Sequence, residues 1–428
     1  MYERTAATKN IGFEHDQREV RRSFCLLSMD AIFYFCGLAL IDSQTVLPTF
    51  LATLTKSPML IGALMAIRPA GVFIPQLWSA HYLRKRTRHK GFLIKVASIS
   101  RIAVTFFAII LFFANSGDKV LMLWAFVAMY TAFWFSEGGV GVSWTDLVAK
   151  TIPERLRGRL FGLMQVVGGI LGVLVGVFVS RMLSEKGPDY PTNFAVLVAV
   201  SAFFFWMSLA SLSAVREPEG PTDDYDGGFL EYIGKLGNTL KEHSQLKRLI
   251  AVQMLAGLSG LSLPFYILYA KETSKVTGEM VGIFLLVQTI GSILAALVTG
   301  YLSDHRGPKI AIILTLVLGI SAPAMALVVG GAQAWAFGFV FLVVGGLLGS
   351  SWIGITNFLL EISEPKERRG LIGLMNTANT PAMLYPLLGG VIAQELSYCA
   401  AFVLTALAAL IALLLSLGLK SKKDDMLY

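Results

Sequence analysis

The chain alternates long apolar stretches with short polar connections, and few folds accommodate that pattern. A helix needs about 20 mostly apolar residues to cross the hydrocarbon of a bilayer. Twelve stretches qualify, at 24–53, 58–82, 91–114, 120–147, 158–182, 193–215, 248–270, 278–302, 309–329, 333–362, 370–395 and 398–419. In lipid every backbone N–H and C=O must be bonded internally, so such stretches form helices or a closed barrel, and their length selects helices. Composition agrees, with 55% hydrophobic and 15% charged residues, where soluble domains carry about a quarter charged. The sequence therefore predicts an all-α polytopic membrane protein in a lipid bilayer.

The formal net charge of +8 does not point to nucleic acid, because the basic residues lie in short clusters between apolar runs, a pattern that reports membrane orientation. No nucleic-acid partner is expected. Cys25, Cys36 and Cys399 make neither a disulfide framework nor a zinc spacing, and every histidine lies in or at the edge of a polar connection. No metal and no cofactor is expected. No Gly-x4-Gly-Lys-Ser/Thr sequence is present and no nucleophile–base set appears in the spans, so neither ATP hydrolysis nor other enzyme activity is expected. The first 23 residues mix both charges, and the apolar run after them is too long for a signal peptide, so no cleavage is expected.

One long polar break, Arg216 to Lys247, contains "REPEGPTDDYDGG" and separates six spans from six. The expected organisation is a first bundle at 1–215, a linker at 216–247 and a second bundle at 248–428. With the N-terminus inside, the cytoplasmic segments hold 27 Lys and Arg and the outside loops six, which by the positive-inside rule puts both termini and the linker in the cytoplasm. The cell (inner or plasma) membrane is the expected location. The halves also echo each other. "SWTDLVAKTIPERLRGRLFGLMQ" (143–165) aligns without a gap to "GITNFLLEISEPKERRGLIGLMN" (354–376), pairing Thr145 with Thr356, Arg157 with Arg368, and Gly162 to Met164 with Gly373 to Met375. The two stretches are the elbows between spans 4 and 5 and between spans 10 and 11. Because the halves share one orientation, the repeat is parallel, the arrangement of transporters with a pseudo-two-fold axis along the membrane normal.

At this point the chain resembles the major facilitator superfamily, in its bacterial secondary transporters. That family's signature is a Gly-x-Leu-Ala-Asp-Arg-x-Gly-Arg-Lys phrase between helices 2 and 3, often echoed between helices 8 and 9. The echo stands here as "GYLSDHRGPK", with Gly300, Leu302, Asp304, Gly307 and Lys309 matching. The first site reads "HYLRKRTRHK", without the glycines or the aspartate. The resemblance implies two six-helix bundles, alternating access, and an Asp304 that braces the opposite half near Arg157 and Gly158. Independently of the family, Gly307 suits a tight turn and Asp304 suits a helix N-terminus, and a merely solvated turn is the other reading. Two marks of the family's drug–proton antiporters are missing: span 5 has no Gly-Pro pair, and span 4 has no Arg. Gly168, Gly172 and Gly176 share one face of span 5, where another helix can approach closely.

Ionisable side chains deep in hydrocarbon cost about 2.5–3.5 kcal/mol even on insertion scales, so each is a candidate site. Asp42 in span 1 and Arg68 in span 2 lie at similar depth, near the midplane where such transporters bind substrate. They are expected to share an ion-pair environment, with Pro69 and Pro75 bending span 2. Glu137 in span 4 is the leading proton carrier, followed by Asp42 and Asp30; Arg101 in span 3 is the further deep charge. The resemblance places helix 3 outside the central cavity, so Arg101 is as readily a structural ion-pair partner as a site residue. The second half offers Gln253, Gln288, Asn376, Asn379 and Tyr385, with Pro381 and Pro386 breaking span 11. For these, helix–helix hydrogen bonding and substrate contact are both open. The expected function is proton-coupled secondary transport, by a monomer, of a small solute bearing an anionic group. Proton-driven export of apolar or cationic drugs is the alternative.

Overall fold

The computed structural model describes residues 2–83, 86–219, 244–363, 371, 374–375 and 377–420, with side chains described from residue 17 onward except at 77, 80 and 81. Among the described residues there is no strand. The helices are α1 (Tyr2–Leu40), α2 (Val46–Leu54), α3 (Pro58–Leu83), α4 (Lys90–Phe113), α5 (Lys119–Thr151), α6 (Glu154–Leu183) and α7 (Thr192–Ser213) in the first half. The second half contains α8 (Ser244–Gly257), α9 (Tyr266–Ser274), α10 (Gly278–Arg306), α11 (Pro308–Val329), α12 (Phe337–Ile362), α13 (Tyr385–Glu395) and α14 (Tyr398–Leu417). Eleven described helical segments are long and apolar enough to cross a membrane. The eleventh span of the sequence reading is described only in part, as a 3-10 turn at Thr380–Leu384 running into α13. Among the described residues the fold is all-α and polytopic, eleven such spans and part of a twelfth in two bundles.

Three spans are interrupted, each with a local cause. Span 1 breaks between α1 and α2, where the Asp42 carboxylate accepts from the backbone N–H of Gln44 (2.9 Å) and Thr45 (2.8 Å) and from the Thr45 hydroxyl (2.8 Å). It holds the turn that leads into α2, bonding N–H groups two and three residues on as short acceptors do in turns. Span 7 breaks into 3-10 turns at Leu258–Leu261 and Leu263–Phe265 before α9. Span 11 breaks at the turn containing Pro381, where the missing N–H and the ring disfavour continuous α-helix. Pro69 and Pro75, by contrast, lie within a continuous α3.

Within the first half, α3 packs on α5, α4 on α5 and α7, and α1 on α6 and α7. Within the second, α12 packs on α10 and α11, and α14 on α8 and α11. The halves meet along two seams, α3 against α13 and α6 against α10. Glycine makes both seams possible. A Cβ on Gly62 of α3 would lie 2.3 Å from the Pro386 carbonyl oxygen, and one on Gly390 of α13 would lie 2.5 Å from that of Pro58. Along α6, Gly172 and Gly176 leave room for Thr289 and Leu286 of α10, as their shared face predicts.

The cores show how the halves are disposed. Arg216 bonds Glu19 (2.7 Å) and Arg248 bonds the Gly418 carbonyl, so in each half the start of its first span lies beside the end of its last. On the opposite face a single aromatic-rich cluster runs through both halves, from Phe50, Phe126 and Phe194 to Phe265, Phe341 and Phe402. On the chain-end face there are two separate clusters, one around Leu27, Leu147 and Leu160 and the other around Leu249, Ile312 and Phe358. Gly158 and Gly162 of α6 and Gly300 of α10 would meet no described atom within 4 Å if given a Cβ. The halves are joined on one face and parted on the other.

Candidate functional site

Where the joined and parted regions meet, a cavity of about 240 Å³ is lined from both halves, by Ser43, Gln44, Met65 and Arg68 on one side and Gly260, Leu263, Leu348 and Ala382 among those on the other. Its ionisable lining residue is Arg68. No ion pair joins Asp42 to Arg68. Asp42 is spent on the turn before α2 and on the Gln288 side-chain amide, whose Nε2 donates to Oδ2 at 3.4 Å. The Arg68 guanidinium instead lies over the Trp134 ring, 4.8 Å from its centroid. Close packing of α3 on α5 brings it there: a Cβ on Gly71 would fall 2.7 Å from Trp134, and one on Gly138 would fall 2.2 Å from the Gly71 carbonyl oxygen. The shared ion-pair environment expected for Asp42 and Arg68 thus gives way to a turn held by Asp42 and a cation–π contact of Arg68, the latter worth about 2 kcal/mol or more when desolvated.

The partner of Glu137 is Arg101. The Arg101 Nη1 donates to Glu137 Oε1 and to the Ser100 hydroxyl (2.6 Å), which in turn donates to the same carboxylate oxygen (2.8 Å). Both side chains are buried, and the guanidinium sits between the Tyr34 and Phe205 rings. Asp30 is also buried, but its acceptors meet neutral donors, the Trp144 indole N–H (2.8 Å) and the Ser208 hydroxyl (2.6 Å). These three ionisable groups line a second cavity of about 380 Å³ on the chain-end side of the first half, together with Tyr34, Phe35, Trp144 and Phe161. Sequence reasoning found the charges but missed Trp144, Ser208 and Ser100. A lone Trp or Ser in an apolar span carries no signal of its own.

In the second half, Gln288 is buried with its Oε1 unpartnered, as are Asn379 Oδ1 and, across the interface, Gln44 Oε1. The Tyr385 hydroxyl donates to the Met254 carbonyl at 3.3 Å, a bond between spans 11 and 7. Gln253 is half-buried on α8, and Asn376 lies outside the described residues.

The motif between α10 and α11 has the local form its residues predict. Gly307 ends α10 at φ 95°, Pro308 opens α11, and Lys309 follows it. Asp304 is exposed near the end of α10. Arg157 donates to the carbonyls of Ile152 (3.0 Å) and Ala149 (2.9 Å), within its own elbow. At the first-half site, where the aspartate is missing, Glu217 supplies the anion. Its carboxylate accepts from the backbone N–H of His89 (2.7 Å) and Lys90 (2.8 Å), the start of α4. Lys150 bridges Glu217 (3.1 Å) and Asp146 (2.6 Å). Burial pushes the Glu217 carboxyl up, but the two N–H donors and Lys150 outweigh it and hold the group below its ordinary range.

Comparison with known proteins agrees with this architecture. The Major Facilitator Superfamily profile matches residues 249–425. The multidrug resistance protein MdtG of Serratia proteamaculans (strain 568) is 33% identical over 165 residues, covering 37% of this chain and 39% of that protein. The nucleoside transporter NupG, in a point-mutant form, superposes with a TM-score of 0.71 at 13% identity, over 93% of this chain and 99% of its own. A D-xylose-proton symporter does so with a TM-score of 0.67 at 15% identity, over 95% of this chain and 99% of its own. The profile of that superfamily matches the second half of the chain, and the likeness in fold to these transporters runs through nearly the whole of it.

Proposed function

We propose that the protein is a secondary active transporter that carries a small organic solute by alternating access, with the solute held in the cavity between the halves. One observation carries this reading: a cavity lined from both halves lies where a shared core gives way to two separate ones. Rocking of the two bundles about that level would expose the cavity to each side in turn, the arrangement expected of parallel-repeat transporters. The names of the fold relatives, a nucleoside transporter and a sugar–proton symporter, support the same class. With basic loops inside, the parted face is the cytoplasmic one, the protein sits in the cell membrane, and the conformation is inward-facing. The functional unit is the monomer.

Arg68 favours a solute with an anionic group, since its guanidinium is matched by an aromatic face and not by a carboxylate. The unpartnered amide oxygen of Gln44, which lines the same cavity, suits a hydroxyl or amino donor on the same solute. Asp30 is the carboxylate best suited to carry the coupled proton, ahead of Glu137 and Asp42. Protonating Glu137 would strand the Arg101 charge, whereas Asp30 has only neutral donors to rearrange. A second reading, proton-driven export of apolar or cationic compounds, draws on the likeness to MdtG and on the aromatic lining of the cavity around Asp30.

Proteoliposomes under an imposed pH gradient separate the two readings. The first expects accumulation of an organic anion from a panel of hydroxylated carboxylates, lost in Arg68→Gln. The second expects expulsion of lipophilic cations with Arg68→Gln still active. Asp30→Asn should abolish gradient-driven flux and spare counterflow exchange; full gradient-driven flux in that variant moves the proton to Glu137 or Asp42.

A further inference from the structure

On the joined face lies a cavity of about 400 Å³, separate from both described above. Its walls come from both halves: Thr49 and Thr53 of α2, Lys119 at the start of α5 and Tyr190 from the first, and Lys271 in the last turn of α9 from the second. No Asp or Glu lines it, and neither lysine has an ion-pair partner among the described residues. The Thr49 side chain is 3% exposed in this wall, and its hydroxyl oxygen has no hydrogen-bond partner. The Thr53 and Tyr190 hydroxyls, 3.0 Å apart, complete a polar rim.

Two ammonium groups from opposite halves, facing one recess without a carboxylate, repel each other and oppose the closure that the shared aromatic core favours. A compact oxyanion between them would reverse the sign of that interaction and accept from the buried hydroxyl. Charge-assisted bonds to such a group are roughly twice as strong as neutral ones. The volume, equal to about a dozen waters at ~30 Å³ each, admits a phosphate or carboxylate group with part of its hydration. We infer that this recess is an oxyanion site bridging the two halves on the joined face, and that its occupancy stabilises the conformation closed there. The shared chemistry is a phosphate or carboxylate, whether from a free solute or from a lipid headgroup reaching in from the leaflet.

The test is thermal unfolding of the purified full-length chain in neutral detergent, titrated with inorganic phosphate at ionic strength held constant with chloride. The inference expects a saturable rise in melting temperature. Lys119→Gln and Lys271→Gln should each raise the half-saturating phosphate concentration by about tenfold or more, the loss of one charge-assisted bond. Lys186→Gln, an exposed lysine outside the cavity, should leave it unchanged. In nanodiscs, phosphatidylglycerol replaces phosphate as the probe against phosphatidylcholine. A rise with the lipid alone, lost in the same two variants, identifies a headgroup as the source. No saturable rise in either setting, equal responses in Lys271→Gln and Lys186→Gln, or a loss confined to one of the two lysines would overturn the bridging site.

Discussion

Arg101 and Glu137 stand 36 positions apart, and each is costly in a bilayer without the other. The buried pair, with Ser100 sharing the same carboxylate oxygen, leaves little of either charge unmet. Removing one partner of such a pair costs about 3–5 kcal/mol, because the survivor is stranded, and removing both relieves that penalty. Glu137→Gln and Arg101→Met should therefore each lower the unfolding midpoint strongly, and the double variant should lose clearly less than their sum. Asp42→Ala and Arg68→Gln offer the contrast. The first removes the bonds that hold the turn before α2, at about 1 kcal/mol each, and the second a contact with Trp134, so their losses should add. Equilibrium unfolding in detergent reads both cycles, and additivity at Arg101/Glu137 would mean that the pair is not what holds α4 to α5.

At the level of elements, the start of α4 shows one job done by an unexpected residue. The first-half loop lacks the aspartate that its second-half counterpart carries, yet α4 has an anion at its N-terminus, contributed by Glu217 from beyond the sixth span. This joins the ends of α4, α5 and α7 through Lys150 and Asp146. The Glu217 carboxyl is depressed in the folded state, so its contribution is fully present above the ordinary value of 4.5 and is lost as pH falls through and below it. Melting temperature measured from pH 7 down to pH 3 should fall more steeply in the parent than in Glu217→Gln, which has already lost the interaction. Identical slopes would show that the carboxylate does not stabilise this corner. Proline acted differently in two spans. Pro381 interrupts span 11, whereas Pro69 and Pro75 are carried within a continuous α3 packed along α5.

For the whole molecule, what matters is which face is joined. The α3–α13 seam holds the backbones so close that a methyl at Gly62 would press on the Pro386 carbonyl, an atom that cannot swing away as a side chain would. Gly62→Ala should therefore part the halves on this face and shift the population toward the opposite-facing state. Spin labels at Lys56 and Leu396, on opposite sides of one end of that seam, where Ser57 bonds Gln394, should show a longer distance distribution than in the parent. An unchanged distribution would place the conformational balance in the α6–α10 seam, where Gly176 and Gly282 are packed as tightly.

Hydropathy and length alone determined the spans, and the echo of 143–165 in 354–376 determined the parallel halves, because crossing a bilayer is a one-dimensional requirement that each segment meets by itself. The deep charges were legible for the same reason: each is an exception within its own span. Their partners were not. Whether Glu137 meets Arg101, and whether Asp42 binds Arg68 or holds the turn before α2, depends on helix rotation, on a short break between α1 and α2, and on how closely glycines let neighbouring backbones approach. Those quantities exist only between segments. The open and joined faces are likewise a property of two seams and three cores, and no single stretch of sequence contains them.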